Sequence, residues 1–196
     1  MLISKGMLLE EAWSLALNEL NAALTTAGNH PFRFASLATV DNHGAPHLRT
    51  VVLREFHQSG RFVIFTDKRS EKVNHIRQHN RVSLLFYDDR SGLQLRANGP
   101  AEVVDSGDEL ARYWSERGSK NPFSYTSVPA PGTPIEHPEE AWEWNDEDAS
   151  HFCFIRVDAD LLEFLQLDGI RHLRAEMIVR EAGQQLHPPT LRWIAP

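Results

Sequence analysis

The sequence predicts one mainly β (α+β) domain, a closed or partly closed barrel of short antiparallel strands with peripheral helices. Three observations carry that expectation. Six or more segments are β-rich, and most are joined by turns too short to hold a crossover helix. Only the stretches 8–25, 70–79 and 108–117 show helical character. The length of 196 residues supports one core without staples, so 1–196 is read as a single domain.

Taken in order, Leu8, Ala12, Leu15, Leu20 and Leu24 recur at helical spacing and make the N-terminal region 1–30 a peripheral amphipathic helix. Phe32–Val40 alternates as a strand. Asp41-Asn-His-Gly44 is a turn whose glycine suits the left-handed position, so a hairpin into Ala45–Glu55 is expected. Gln58-Ser-Gly60 turns the chain into the strand Arg61–Thr66. Ser70–His79 reads as a short helix with Ser70 as its N-cap, and Val82–Tyr87 as a strand. Asp88-Asp-Arg-Ser-Gly92 leads to a long strand, Leu93–Val104, bent or bulged at Gly99-Pro100. A helix over Asp108–Arg117 precedes an irregular stretch, and strands follow at Phe152–Val157, Leu161–Leu167, Leu173–Arg180 and Leu191–Ile194.

The irregular stretch, 118–150, contains five prolines and an acidic run of Glu136, Glu139, Glu140, Glu143, Asp146, Glu147 and Asp148. A connection this long inside a compact domain is read as a lid or an interface arm; the plainer alternative is a solvated acidic loop. Trp142 and Trp144 favour the first two, because two tryptophans call for a surface to pack against.

A net charge of −7 argues against a nucleic-acid partner, which calls for a basic stripe. The acid is concentrated near 136–148, which leaves the cations of 49–72 able to form a local positive pocket. No run approaches the ~20 apolar residues of a membrane span, so no membrane partner is expected. The start is followed by Glu10 and Glu11 and does not read as a signal peptide. The lone Cys153 suits a small buried hydrophobe in a reducing compartment, and the expected location is cytoplasmic. Of the ten histidines, His75 and His79 share a helix face but lack a third ligand, so no metal is expected. Neither a Gly-x-Gly-x-x-Gly fingerprint nor a Walker loop is present, and Ser124 and Ser127 lack a nucleophile context.

The most informative stretches are Arg49-Thr-Val-Val-Leu-Arg54 and Phe65-Thr-Asp-Lys-Arg-Ser-Glu-Lys72. In a regular strand Arg49 and Arg54 lie roughly 17 Å apart on opposite faces. The second stretch brings hydroxyls (Thr66, Ser70), cations (Arg69, Lys72) and the free N–H groups of a helix start to one place, the usual chemistry of an anion seat. Either stretch alone reads as an ordinary hairpin with solvated charges. Together they point to a phosphate-bearing cofactor.

These two stretches, with Asn80-Arg-Val-Ser-Leu-Leu-Phe86, Gln94-Leu-Arg-Ala-Asn-Gly99 and Arg192-Trp-Ile-Ala-Pro196, resemble the pyridoxamine 5′-phosphate oxidase family, in order from about Phe34 to the C-terminus. The resemblance implies an FMN-binding split β-barrel, a homodimer with the flavin site at the subunit interface, and an oxidase-like oxidoreductase acting on a small anionic substrate. The rival readings are a flavin reductase drawing electrons from a nicotinamide and a non-catalytic FMN-binding carrier or redox sensor. The implied cofactor residues are Arg49, Arg69, Ser70 and Lys72 for the phosphate and the backbone of Thr50, Val51, Val52 and Leu53 along the ring. Phe65 and Thr66 flank the ring or ribityl chain, Gln94 reaches its polar edge across the barrel, and Arg54 closes the strand. The implied substrate residues are Arg54, Tyr113, Arg117 and Arg171. The departures are specific. Glu71 stands where the oxidases carry an arginine, with Arg69 the candidate to supply that charge, and Asn121 replaces a serine of the substrate cluster. Leu173 replaces a substrate histidine, His172 being one residue out of register, and Pro129-Ala-Pro-Gly132 replaces a Gln-Ser pair. The chain therefore reads as a divergent member and not as a standard pyridoxamine phosphate oxidase.

Overall fold

The computed structural model describes residues 1–25, 30–120, 122–144, 149–181 and 184–196. Its core is a nine-stranded antiparallel sheet that closes on itself. The strands are β1 Phe34–Val40, β2 Pro46–His57, β3 Arg61–Asp67, β4 Arg81–Asp88, β5 Leu93–Val104, β6 Phe152–Asp158, β7 Leu161–Gln166, β8 Leu173–Glu181 and β9 Gln184–Ile194. They run in the order β4-β1-β2-β3-β6-β5-β7-β8-β9, and an additional β4–β5 pairing closes the first six into a barrel. The expected mainly β split barrel is the fold observed.

The split lies along β5. Its N-terminal half pairs with β4 on one side and β7 on the other, while Ala101–Val104 pairs with β6. The strands β6 and β7 thus share one edge of β5, and their connection crosses it at Gly99. A Cβ built there would lie 2.3 Å from the Asp158 carbonyl oxygen and 2.6 Å from Ala159 Cα. No side chain fits that crossing, which is why the bend expected at Gly99-Pro100 carries a glycine.

Three helices pack around the barrel: α1 Leu9–Thr25, α2 Glu71–Gln78 and α3 Asp108–Glu116. The buried stripe of α1 is Ala12, Trp13, Ala16, Leu20 and Ala23; Ala12 and Leu20 are buried as expected, Leu15 and Leu24 are only partly buried, and Leu8 is exposed. The small alanines let Trp13 reach the edge of Phe164, with ring centroids 5.0 Å apart. Gln166 anchors the N-terminus by accepting the amides of Leu2 and Ile3 at 3.1 and 3.0 Å. A second, smaller core lies outside β3 and β6, where α3 and Tyr125 cover Val63, Phe65, Phe152 and Phe154.

Other expectations shift at their ends. The strand expected from Phe32 begins at Phe34, after a 3₁₀ turn over Pro31–Arg33. The closing strand starts at Gln184, because β9 is the last strand of the sheet and an edge tolerates Pro188 and Pro189. Ser70 occupies the N-cap position, but its hydroxyl donates to the Asp67 carbonyl at 2.7 Å and does not cap the helix. No helix among the described residues is long and apolar enough to cross a membrane.

Candidate functional site

A groove runs along the outside of β2 and β3, made of three adjoining cavities that share lining residues. Arg49, Ser70, Glu71, Lys72, Pro131 and Gly132 line the first, of about 200 Å³. The middle one, of about 280 Å³, lies against Thr50, Val51, Val52, Arg54, Phe65, Thr66, Lys72 and Tyr125. The largest, about 520 Å³, is bounded by Leu24, Arg33, Leu53, Arg54, Phe65, Arg117, Lys120 and Tyr125 and is of a size typical of ligand pockets.

A β-bulge places both strand-end arginines on this groove. Leu53 pairs with Ile64 and Glu55 with Val63, so Arg54 is the extra residue of β2. The opposite-face expectation, which assumed a regular strand, is corrected by that bulge. Arg54 then lies over the Phe65 ring at 5.5 Å, with its Nε buried and without a hydrogen-bond partner. Such an unmet donor costs about 1–3 kcal/mol until an acceptor arrives.

At the other end Arg49 is held from behind. Its Nη1 donates to Thr39 Oγ1 at 2.6 Å, His47 O at 3.1 Å and Leu37 O at 3.2 Å, all on β1 and β2. Thr39 is buried and also meets His75 Nδ1 at 3.1 Å, so His75 turns inward, away from the helix face it was read to share with His79. Lys72 Nζ donates to Thr66 Oγ1 at 3.0 Å. Burial, and then the charge of Arg49, pull the Lys72 ammonium below the ordinary lysine value of 10.5. Burial likewise lowers Arg49, while Glu71 opposes the shift. These two half-buried cations repel one another, and neither is in an ion pair with a carboxylate among the described residues, so both are free to meet an anion.

Most arginines of this chain do sit against a carboxylate. Among the described residues Arg33, Arg49, Arg54, Arg117 and Arg171 do not, and the first four line the groove.

Several residues named from the sequence lie elsewhere. Arg69 is engaged by Asp67, with Nη2–Oδ2 at 2.7 Å, and donates to the carbonyls of Ser127 and Val128; it straps the segment after α3 to β3 and does not line the anion seat. Tyr113 is 1% exposed, packed edge-on to Phe65 and Phe154. Tyr125 takes its place in the groove. Burial raises the Tyr125 hydroxyl above its ordinary value, with Arg54 beside it opposing the shift. Gln94 faces outward on β5, opposite Tyr87, since Leu93, Leu95 and Ala97 fill the barrel. Arg171 stands in the exposed turn between β7 and β8, and Asn121 lies outside the described residues.

Sequence reasoning missed Arg33, Lys120, Tyr125, Pro131 and Gly132 as lining residues. Four of these belong to the stretch that carried no strand or helix pattern, so only its path could reveal them. Residues 127–144 fold back on themselves, with Val128 N donating to Glu143 O at 2.7 Å and Ser127 bridging Trp144. Trp142 and Trp144, expected to be buried, are 58% and 43% exposed in the single chain, and Trp144 touches only the half-exposed Phe123 ring, at 4.9 Å, among the aromatic contacts of the described residues. Glu136, Glu139, Glu140 and Glu143 face solvent, while Asp146, Glu147 and Asp148 lie outside the described residues.

Residues 25–144 match the family model described as pyridoxamine 5′-phosphate oxidase. The chain belongs to this family. A pyridoxine/pyridoxamine 5′-phosphate oxidase of Deinococcus deserti is 34% identical over 110 residues, 56% of this chain and 50% of that one. The pyridoxine/pyridoxamine 5′-phosphate oxidase 2 of Arabidopsis thaliana is 25% identical over 164 residues, covering 78% of this chain and 82% of the relative. The chain spans about half the length of the bacterial curated relatives it matches. In fold, the family likeness extends over the entire chain. A pyridoxamine 5′-phosphate oxidase-related, FMN binding protein from Nostoc punctiforme superposes with a TM-score of 0.72 at 23% identity, covering 100% of both chains. PhzG from Burkholderia lata, solved with tetrahydrophenazine-1-carboxylic acid, gives 0.70 at 17% identity over 94% of this chain and 92% of its own.

Proposed function

We propose that this protein is an FMN-dependent oxidoreductase, oxidase-like but not a standard pyridoxamine phosphate oxidase, that acts on a small anionic substrate as a homodimer in the cytoplasm. The observation that carries the reading is the Arg49–Lys72 pair: two half-buried cations that make no ion pair among the described residues, although Glu71 also lines their cavity, at one end of a groove whose other end is a basic cavity. The residues present fit FMN. Arg49, Lys72 and Ser70 would hold its phosphate, Thr50 to Leu53 with Phe65 and Thr66 would border the ring and ribityl chain, and the unmet Arg54 Nε would meet an acceptor. FMN, when bound, supplies the acceptor for a pair of electrons. This chain's own contribution is position and charge. Arg54, Arg117 and Tyr125 orient the substrate, and Pro131, Gly132 and Tyr125 wall the groove from solvent as the lid read from the sequence would. The size of the cavity beside Arg54 favours a second molecule next to the cofactor, which a simple carrier does not need.

The second subunit supplies what this chain lacks. Phe34, Leu48 and Tyr87 are exposed on one face of the adjacent strands β1, β2 and β4. Gln94, beside Tyr87 on that face, is placed to reach a partner's groove, and the same partner would bury Trp142 and Trp144. Sedimentation of the FMN-loaded protein is expected to give a dimer, and a monomer at micromolar concentration would overturn this. Anaerobic addition of NAD(P)H or of pyridoxamine 5′-phosphate separates the activities. Bleaching by the nicotinamide alone would establish the reductase, and no bleaching by any small anion would establish the carrier.

Lys72 also sets a pH dependence. Its ammonium is depressed in the free protein and would be stabilised by a phosphate, so phosphate affinity is full below the lowered Lys72 value. It falls as pH rises through the lowered Lys72 value toward the bound one, with onset below 10.5. Fluorescence titrations of FMN should show this loss and Lys72→Arg should remove it, because arginine stays charged. Riboflavin controls for titration of the ring. An FMN affinity flat to pH 10.5 would refute the assignment.

A further inference from the structure

We infer that the cavity at the Arg54 end of the groove is built for a polyanion, a ligand with three or more clustered negative charges, and that Arg33 and Lys120 set this preference. The inference rests on the reading of that cavity as the substrate's. Arg33, Arg54, Arg117 and Lys120 all line it, and no carboxylate does among the described residues. Among the described residues none of the four makes an ion pair, in a chain where most arginines do. They arrive from separate elements: Arg33 from the turn before β1, Arg54 from the bulge of β2, Arg117 from the end of α3 and Lys120 from the turn after it. Arg117 Nη1 donates to the Arg54 carbonyl, which ties two of the contributing elements together. Four charges gathered this way repel one another, and a fold retains such a cluster at a cost that a ligand must offset.

The charge balance decides the ligand class. A phosphate monoester carries about −1.5 to −2 at neutral pH, which compensates roughly half of the cluster. Arg54 and Arg117 suffice for it. Arg33 and Lys120 are then surplus, unless the substrate brings further oxyanions, as a diphosphate, triphosphate or polycarboxylate does. The apolar side of the cavity, Leu24, Leu53 and Phe65, would receive the uncharged body of that substrate.

The test is calorimetric titration of the FMN-loaded protein at low ionic strength with orthophosphate, pyrophosphate, tripolyphosphate and citrate. Affinity should rise with charge, with tripolyphosphate and citrate binding about tenfold or more tighter than orthophosphate, as for one added charge-assisted contact. The Arg33→Gln, Lys120→Gln double variant should lose that preference while binding FMN as before, which also shows that it is folded. Equal affinity for all four ions, or a preference that survives in the double variant, would overturn the inference. The Arg49→Ala, Lys72→Ala variant separates this from the cofactor reading. If it abolishes tripolyphosphate binding and Arg33→Gln, Lys120→Gln does not, the ions occupy the cofactor seat and the inference fails. A chain that binds no FMN but still shows the Arg33- and Lys120-dependent preference loses the cofactor reading alone.

Discussion

Arg49→Ala is expected to weaken FMN binding about tenfold to a hundredfold and to leave riboflavin binding unchanged. One charge-assisted hydrogen bond contributes about 1.5–3 kcal/mol, and every 1.4 kcal/mol is tenfold in affinity. Two features of the site locate the result within that range. Removing Arg49 relieves its repulsion of Lys72, whose ammonium becomes easier to hold, so part of the loss is offset. Against this, Thr39 Oγ1 and the carbonyls of Leu37 and His47 lose their donor, and Thr39 is buried. The discrimination between FMN and riboflavin should vanish only in the double variant with Lys72→Ala. Fluorescence titration of both flavins against the unaltered protein and the two variants gives the answer. If Arg49→Ala weakens riboflavin as much as FMN, the residue supports the fold and the phosphate lies elsewhere.

Gly99→Ala is expected to destabilise the protein by about 3 kcal/mol, the upper end of what overpacking costs. Most added methyl groups displace a flexible side chain, and the penalty is shared among rotamers. Here the neighbours are backbone: the Asp158 carbonyl at 2.3 Å and Ala159 Cα at 2.6 Å. The connection they belong to is pinned on both sides, with Ala159 N donating to Gly60 O at 2.9 Å and Asp160 N to Asn98 O at 2.8 Å. It cannot lift off β5 without breaking one of these bonds. For a chain of this length each kcal/mol lowers Tm by about 2–4 °C, so a fall of roughly 6–12 °C should appear in a thermal melt. A change of less than about 2 °C would show that the β6–β7 crossing is looser than drawn.

The candidate site was legible in part, and the division follows how far apart in the chain the deciding contacts lie. Local patterns were sufficient for the hairpin into β2, the helix start after Ser70, the strand alternation of β1 and the glycine at the bend of β5. Each reports on neighbours a few residues away. Lys72 and Arg49 were identifiable because the chemistry of an anion seat can be recognised in two short stretches. The assignments that moved all depended on distant partners. Arg69 was read as a phosphate ligand from its place in the loop, but Asp67, Ser127 and Val128 engage it. Tyr113 was read as a substrate group, yet α3 turns it onto Phe65 and Phe154, and the hydroxyl in the groove comes from Tyr125, in a stretch without periodicity.

Sequence alone determined the class of the fold and the order of its strands and helices, and it singled out Arg49 and Lys72 as candidate anion ligands, because hydrophobic period, turn residues and clustered charge are written locally. Tertiary structure decided which cations remain free to meet a ligand. A guanidinium reads the same in the sequence whether a carboxylate from another strand neutralises it or not. Arg96 and Arg174 converge on Glu163 across β5, β7 and β8, whereas Arg33, Arg54 and Arg117 line one cavity to which no carboxylate among the described residues contributes. That difference lies in strand order and in a single bulged residue, where Coulomb energy at a few ångströms turns the same side chain into a closed ion pair or an open binding group.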